Sequence, residues 1–354
     1  MKKVLLTTGG TGGHIYPALA VAENLKSKGI DTIFVGSNLR MEKDLVPASG
    51  YKFIGLDIKV PRDFKNIFSY IKTVFEAYKI VKREKPDAII GFGNYISIPV
   101  VFSGVLQRKK VYLQEQNVNL GFANKLFYKF AKMTFLAFEK TYDDMPMKHQ
   151  KKFKVTGNPL RKEVENLNYD EEREKLGIKE DEEVLLITGG SLGAEEINDG
   201  IIENWEKIKD VKNLRIFWAT GKNNYEKVIS KIEKRNIDRI DPYFEDMLSV
   251  MTASDLVICR AGALTISEVI ELERPSIIIP YSSKKVGQYD NAKMLEDTQA
   301  SYVYLNKKVN EAIEKALILI KNSEELKKMR IRLKSLKKSK ASEEIIANLD
   351  IWRN

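Results

Sequence analysis

The sequence predicts an α/β protein made of two similar halves, each built on a parallel sheet. Three observations predict it. The stretch Val4-Leu5-Leu6-Thr7-Thr8-Gly9-Gly10-Thr11-Gly12-Gly13-His14 returns in kind as Val184-Leu185-Leu186-Ile187-Thr188-Gly189-Gly190-Ser191-Leu192-Gly193-Ala194. Each copy reads as a short buried strand running into a glycine-rich turn that carries a small hydroxyl residue. Residues 4 and 184 stand 180 apart, about one α/β domain with its connections. Between and after the two copies, apolar runs alternate with helical patterns, the signature of a parallel sheet with right-handed crossovers.

A chain of 354 residues is long for a single core, so two domains are expected. The single cysteine, Cys259, excludes an internal disulfide and fits a reducing compartment. Only His14 and His149 accompany it, which argues against a zinc cage of His and Cys ligands. No metal and no cofactor are expected. Met1-Lys2-Lys3 leads straight into Val4-Leu5-Leu6, with glycines where the apolar core of a secretory leader would lie, and no apolar run approaches the length of a bilayer span. A cytoplasmic protein is expected. The formal charge of +10 points to anionic partners, whether nucleotide, nucleic acid or a lipid surface.

Taken in order, the first turn is followed by a helix over residues 17–28, with Pro17 near its start and Gly29 ending it. Residues 31–36 form the next strand, residues 85–93 a strand ending in glycines, and residues 110–113 a strand leading into Gln114-Glu115-Gln116-Asn117. Residues 153–155 form a strand, and Thr156-Gly157-Asn158-Pro159-Leu160-Arg161 after it is the natural domain boundary. The domains are accordingly 1–158 and 159–332, with a terminal segment 333–354. Residues 170–183, dense in charge, read as a solvated helix and loop. Residues 214–218, 255–259 and 276–280 are strands, and 260–268 looks like a turn opening a helix. From Asn310 onward the pattern is helical.

Glycine turns between strand and helix let the backbone approach a phosphate, and the helix start supplies free N–H groups and a partial positive charge. The spacing is not the dinucleotide fingerprint, because Ile15 stands where its third glycine belongs, and the absence of Gly-Lys-Ser/Thr excludes a Walker loop. His14 sits at the mouth of the first turn. Imidazole changes charge near neutral pH, which suits a general base or a phosphate contact; a helix cap is the plainer reading. Glu268, in the helix opening near Ala261, suits the hydroxyls of a ribose, or else complements a helix dipole. Arg161 lies where a cation can reach a nucleotide. The amides of Gln288 and Asn291 read either as sugar contacts or as helix caps.

Residues 64–81 carry a different message. At 100° per residue, Phe64, Phe68, Ile71 and Phe75 share a narrow band that Ile67, Val74, Tyr78 and Val81 widen to an arc of roughly 180°. Lys65, Lys72 and Lys79 flank it. That layout fits a helix packed by one edge and dipped into an anionic membrane surface by the other, or a wide core face with solvated lysines.

These stretches resemble the MurG family, the bacterial peptidoglycan glycosyltransferases that move N-acetylglucosamine from UDP-N-acetylglucosamine to lipid I and so make lipid II. The resemblance runs through Gly9-Gly10-Thr11-Gly12-Gly13-His14-Ile15-Tyr16-Pro17-Ala18, Glu115-Gln116-Asn117, Gly157-Asn158-Pro159-Leu160-Arg161, the second glycine turn, Arg260-Ala261-Gly262-Ala263-Leu264-Thr265-Ile266-Ser267-Glu268 and Gln288-Tyr289-Asp290-Asn291-Ala292. It implies a GT-B fold of two Rossmann-like, doubly wound domains facing a cleft, donor in the second and lipid acceptor in the first, with the terminal helix crossing back. By that likeness Phe244 holds uracil through its backbone and Glu268 the ribose. Ser191, Ala263, Leu264 and Thr265 lie by the nucleotide and diphosphate, Arg161 near the nucleotide, and Asn117 and Gln288 near the sugar. Thr11, Gly12 and Gly13 close over the donor, and His14 is the candidate catalytic residue.

Phe64, Phe68, Ile71, Lys72 and Phe75 would touch the inner face of the cytoplasmic membrane, making the protein peripheral. The partners implied are UDP-N-acetylglucosamine, lipid I, that anionic surface and proteins of the cell-wall machinery, with no nucleic acid. Three positions depart from the pattern: Gly287 for a glutamine, Gln114 for a histidine and Asn94 for a glycine. A related sugar-nucleotide enzyme of the same fold, such as a glycolipid glycosyltransferase or a 2-epimerase, and a non-catalytic nucleotide- or nucleic-acid-binding protein using the charge of +10 are the alternatives.

Overall fold

Among the described residues, thirteen strands form two separate sheets in which every pairing is parallel. The structure, a computed structural model, describes residues 2–58, 64–190, 192–282 and 287–352, with the backbone alone for 64–69. The first sheet holds β1 (Lys3–Thr7), β2 (Asp31–Ser37), β3 (Lys52–Leu56), β4 (Ala88–Gly91), β5 (Lys110–Glu115), β6 (Met133–Leu136) and β7 (Phe153–Val155). Its order is β3-β2-β1-β4-β5-β6-β7. The second holds β8 (Glu183–Thr188), β9 (Leu214–Ala219), β10 (Arg239–Asp241), β11 (Leu256–Cys259), β12 (Ser276–Ile278) and β13 (Ser301–Val303), ordered β10-β9-β8-β11-β12-β13. The central strands are continuous apolar runs because a parallel sheet is covered by helices on both faces. Leu5 of β1 joins a core with Val35, Ile89, Val111 and Val81. Its neighbour Leu6 joins the opposite core with Phe34, Ile90, Tyr112 and Ile15, the alternation a strand imposes.

The chain divides into two compact units, residues 1–161 with 338–354, and residues 162–337. Each has its own core; in the second, Leu185, Ile187, Trp218 and Ile258 pack with Trp205, Ile313 and Met329. The last helix, Ala341–Ala347, returns to the first unit, where Ile345 and Ile346 are buried with Leu349 and Ile351 among Val21, Leu25 and Tyr112.

Two expectations are corrected. The helix after the first turn is Gly12–Ser27, so Pro17 lies inside it rather than near its start. The turn flows directly into the helix, and Pro17 forgoes only the bond to the Gly13 carbonyl. The charged stretch after residue 170 is not simply solvated. In the helix Tyr169–Lys175, Glu172 and Arg173 are buried. Arg173 pairs with Asp255 at 3.1 Å and the Tyr169 hydroxyl donates to Asp255 at 2.6 Å. The guanidinium groups of Arg173, Arg274 and Arg330 lie 5.1, 5.1 and 5.5 Å from the Tyr169 ring. The strands β3, β6, β10 and β13, three to five residues each, are too short and mixed in polarity to stand out as apolar runs.

Because Ile345 is fully buried in the first core, Ile345→Ala is expected to cost about 2–5 kcal/mol. Urea or thermal unfolding reads this out; an unchanged midpoint would remove the terminal helix from that core.

Candidate functional site

Strand order reverses between β1 and β4 in the first sheet and between β8 and β11 in the second. At such a point the loops leave in opposite directions and open a crevice beyond the carboxyl ends of the strands. Thr11, Gly12, Gly13 and His14 follow β1, and Ala263, Leu264, Thr265 and Glu268 follow β11, whereas Asn117, Arg161, Phe244 and Gln288 follow β5, β7, β10 and β12.

In the first unit, the turn after β1 encloses a carboxylate. Glu42 is fully buried and accepts hydrogen bonds from Gly10 N at 3.0 Å and Ser37 N at 2.9 Å. A Cβ on Gly9 would stand 2.1 Å from Glu42 Oε1, so glycine is required for the close approach. In this turn a protein anion already occupies the Gly10 N–H. Thr11 is the exposed N-cap and its side chain makes no capping bond. Gly12 and Gly13 form the first helical residues, half-buried.

His14 follows in the same helix. Its Nδ1 lies 3.0 Å from the Phe92 carbonyl and 2.9 Å from Gln116 Oε1. The ring is therefore engaged with the loops after β4 and β5, not with the end of its own helix, and the capping reading falls. Glu115, at the end of β5, is buried and accepts from Asn117 N (3.1 Å), Asn117 Nδ2 (3.2 Å), Gly121 N (2.6 Å) and Asn124 Nδ2 (2.8 Å). It folds the loop and orients Asn117. Gln114 is fully buried and donates to Asn158 Oδ1 at 3.0 Å, so the departure from histidine there exposes nothing to a substrate. Asn94 has φ 64, the left-handed conformation that asparagine tolerates in place of glycine, and its amide donates to the Gly9 carbonyl at 3.2 Å. The Arg161 guanidinium lies 5.8 Å from the Tyr16 ring.

In the second unit the turn after β8 has Gly190 at φ 84 and Gly193 at φ 78. A Cβ on Gly193 would stand 2.2 Å from the Thr220 carbonyl. Ser191 lies outside the described residues. After β11, the helix Ala263–Glu271 begins behind Gly262 with no side-chain cap bond and no acidic residue in its first turn, which holds Ala263, Leu264 and Thr265. Its positive end is thus not neutralised by its own side chains. Glu268, sixth in that helix and half-buried, lies past the turn in which a carboxylate complements the dipole, so the dipole reading falls as well. Burial, reinforced by the Glu268 charge, pushes the Cys259 thiol up to about 12, and the buried thiol is inert at neutral pH.

Phe244 is fully buried, edge-on to Phe217 at 6.3 Å and under the Arg239 guanidinium at 4.4 Å. Only its backbone is left to offer a ligand. Arg239 grips Asp246 through two bonds of 2.8 and 2.9 Å and holds that carboxyl below the usual range. Gln288 opens the helix Gln288–Asp297 and accepts from Tyr281 N at 2.9 Å. Gly287 before it has φ 71, a conformation that a glutamine would strain. Asn291 is fully buried and donates to the Ala261 carbonyl at 3.2 Å, bracing the turn ahead of Ala263.

Sequence reading passed over Arg260. It is buried, donates to the Ile279 carbonyl at 3.1 Å and bonds Glu196 and Asn306, joining its own turn after β11 to the segments after β8, β12 and β13. Glu42 and Gln116 were missed too; their partners are distant in sequence, so spacing gave no signal.

The helix Phe64–Glu84 splits its apolar arc. Thr73, Ala77, Ile80 and Val81 are buried, while Ile71 and Phe75 are each 59% exposed beside exposed Lys72 and Lys79. The side chains of Phe64 and Phe68 lie outside the described residues. Phe102 and Leu106 of the adjoining helix Asn94–Leu106, and Phe122, Leu126 and Phe130 around the next, are also exposed. No helix among the described residues is long and apolar enough to cross a membrane, and they contain no cluster of three metal-binding side chains.

Two doubly wound units with glycine turns at their switch points define a nucleotide-binding α/β protein of the GT-B kind. The glycosyltransferase family 28 N-terminal domain matches residues 4–136 and its C-terminal domain residues 184–345. The chain belongs to glycosyltransferase family 28. It is 68% identical to the UDP-N-acetylglucosamine–N-acetylmuramyl-(pentapeptide) pyrophosphoryl-undecaprenol N-acetylglucosamine transferase of Fusobacterium nucleatum, covering 100% of this chain and 99% of that one. The crystal structure of Acinetobacter baumannii MurG matches with TM-score 0.78 and 26% identity over 98% of both chains. A putative UDP-N-acetylglucosamine 2-epimerase from Listeria monocytogenes matches at TM-score 0.72 and 17% identity, covering 98% of this chain and 95% of that one, a likeness of fold alone.

Glu42→Gln leaves one amide oxygen for two buried N–H groups. It is expected to destabilise the protein by about 1–3 kcal/mol; unchanged urea unfolding would mean that the carboxylate does not hold the turn.

Proposed function

We propose that the chain transfers N-acetylglucosamine from UDP-N-acetylglucosamine to the 4-hydroxyl of N-acetylmuramic acid in lipid I, forming lipid II. The observation that carries this reading is the end-to-end relation to the Fusobacterium transferase at 68% identity. The acceptor oxygen attacks the anomeric carbon in line, its bond to the diphosphate oxygen breaks, and the α-linked donor gives a β-linked product. His14 takes the hydroxyl proton. The start of the helix Ala263–Glu271, which has no acidic residue in its first turn, stabilises the charge growing on UDP, the electrostatic task a cation performs elsewhere. Glu268 accepts the ribose hydroxyls, the Phe244 backbone reads uracil, and Gln288 and Asn117 meet the sugar. Arg161, Ser191, Thr11, Gly12 and Gly13 complete the donor contacts.

The acceptor's lipid is met by a membrane face. Ile71, Phe75 and Lys72, with Phe64 and Phe68 of the same helix, dock on the cytoplasmic side of the membrane, and the exposed residues of the neighbouring helices enlarge that face. Each lysine near an anionic surface contributes about 1 kcal/mol. The protein is thus peripheral, and proteins of the cell-wall machinery are natural neighbours there.

UDP release from UDP-N-acetylglucosamine, with and without a lipid I analogue, tests the reaction: release only with acceptor is expected, and none with it would overturn the assignment. Glu268→Ala should weaken UDP binding by at least roughly 10-fold, in keeping with the loss of a charged hydrogen-bond acceptor; unchanged affinity by calorimetry would exclude the ribose contact. Ile71→Ser with Phe75→Ser should reduce binding to vesicles containing anionic lipid while UDP affinity stays the same. Full retention on vesicles would move the membrane face elsewhere.

A further inference from the structure

Resting on that reading of His14, the geometry points to Gln116 as a positioning residue that holds the His14 ring in its Nδ1–H form, leaving Nε2 as the proton acceptor. Backbone carbonyls can only accept. Asn158 Nδ2 donates to the Gln116 carbonyl at 3.0 Å, so Asn158 Oδ1 is the acceptor for Gln114 Nε2 at 3.0 Å. The same Gln114 nitrogen also lies 3.1 Å from the Glu115 carbonyl. Gln114 Oε1 is then fixed as the acceptor for Gln116 Nε2. That nitrogen also donates to the Phe92 carbonyl at 3.0 Å. One orientation of the Gln116 amide satisfies both, and it presents Oε1 to His14 Nδ1 at 2.9 Å. Nδ1 meets two acceptors, Gln116 Oε1 and the Phe92 carbonyl, so it must carry the proton.

The chain of amides is thus polarised in one direction, from Asn158 through Gln114 and Gln116 to the ring. Gln114, Gln116 and Asn158 are all buried, where a reversed amide would leave donors facing donors at full desolvation cost. A neutral amide orients the imidazole without the charge that a carboxylate partner would bring. When the acceptor hydroxyl attacks, its proton passes to Nε2, and the imidazolium formed keeps its Nδ1–H bond to Gln116. The substitution Gln114 for histidine fits the same relay, since the position needs one donor and one acceptor and faces no substrate.

The test reads the ring directly. The chain has only two histidines, and His149→Gln removes the signal of the other, so nitrogen-15 spectra of histidine-labelled protein report His14 alone. In alkaline buffer, where imidazole is neutral, the unmutated site should show a protonated Nδ1 and an unprotonated Nε2. A protonated Nε2 would overturn the inference with no mutation at the site. Gln116→Leu should then mix the two tautomers and lower kcat by at least roughly 10-fold, within what a general base supplies, with KM for UDP-N-acetylglucosamine unchanged. A pure Nδ1–H form in Gln116→Leu would assign the effect to the Phe92 carbonyl alone and overturn the role of Gln116. If instead the wild type shows the expected tautomer but no turnover with the lipid I analogue, the reaction assignment fails and the positioning role stands.

Discussion

The reversal of strand order at the middle of each parallel sheet is the constraint on which the rest depends. A parallel strand must be reached by a crossover, so every strand in these sheets delivers its following loop to the same edge. Where the order turns back, at β1/β4 and β8/β11, neighbouring loops part instead of covering one another. The glycine turns after β1 and β8 and the start of the helix Ala263–Glu271 stand at those reversals.

What the first unit puts beneath its gap is a set of buried polar groups that answer one another. Glu42 and Glu115 are carboxylates with almost no exposure, and each is surrounded by N–H donors from the loops that it fixes. A buried charge left without such partners would cost several kcal/mol, so these loops are held in one conformation by the penalty for leaving it. The second unit solves the same problem with a cation: Arg260 collects carbonyls and the Glu196 and Asn306 side chains from three loops.

Much of this was legible in the sequence. The central strands are unbroken apolar runs, and the duplicated strand-and-glycine stretch marks both halves, since burial on two faces and close backbone approach each demand a visible residue type. The strands β3, β6, β10 and β13 were hidden because three to five residues of mixed polarity carry no periodic signal. The helix Tyr169–Lys175 was hidden for a related reason: charge density on paper does not distinguish water from a tyrosine ringed by arginines. At the site, His14 and Glu268 stood out by their place beside glycine turns, whereas Glu42, Gln116 and Arg260 act through partners that only the fold brings near. The wide apolar arc of the helix Phe64–Glu84 was visible as a width; the structure shows which part of it is buried, with Val81 inside and Phe75 outside.

The return of residues 338–354 to the first unit bears on how the chain is made. In synthesis order, the second unit is complete while the first still lacks the helix that carries Ile345 and Ile346. The first half therefore keeps an apolar floor beneath Val21 and Leu25 open to water until residues 338–354 have been made. Any early stop within those last residues would release a protein whose second unit is sound and whose first unit is unfinished, a ready target for the chaperones and proteases that recognise exposed apolar surface.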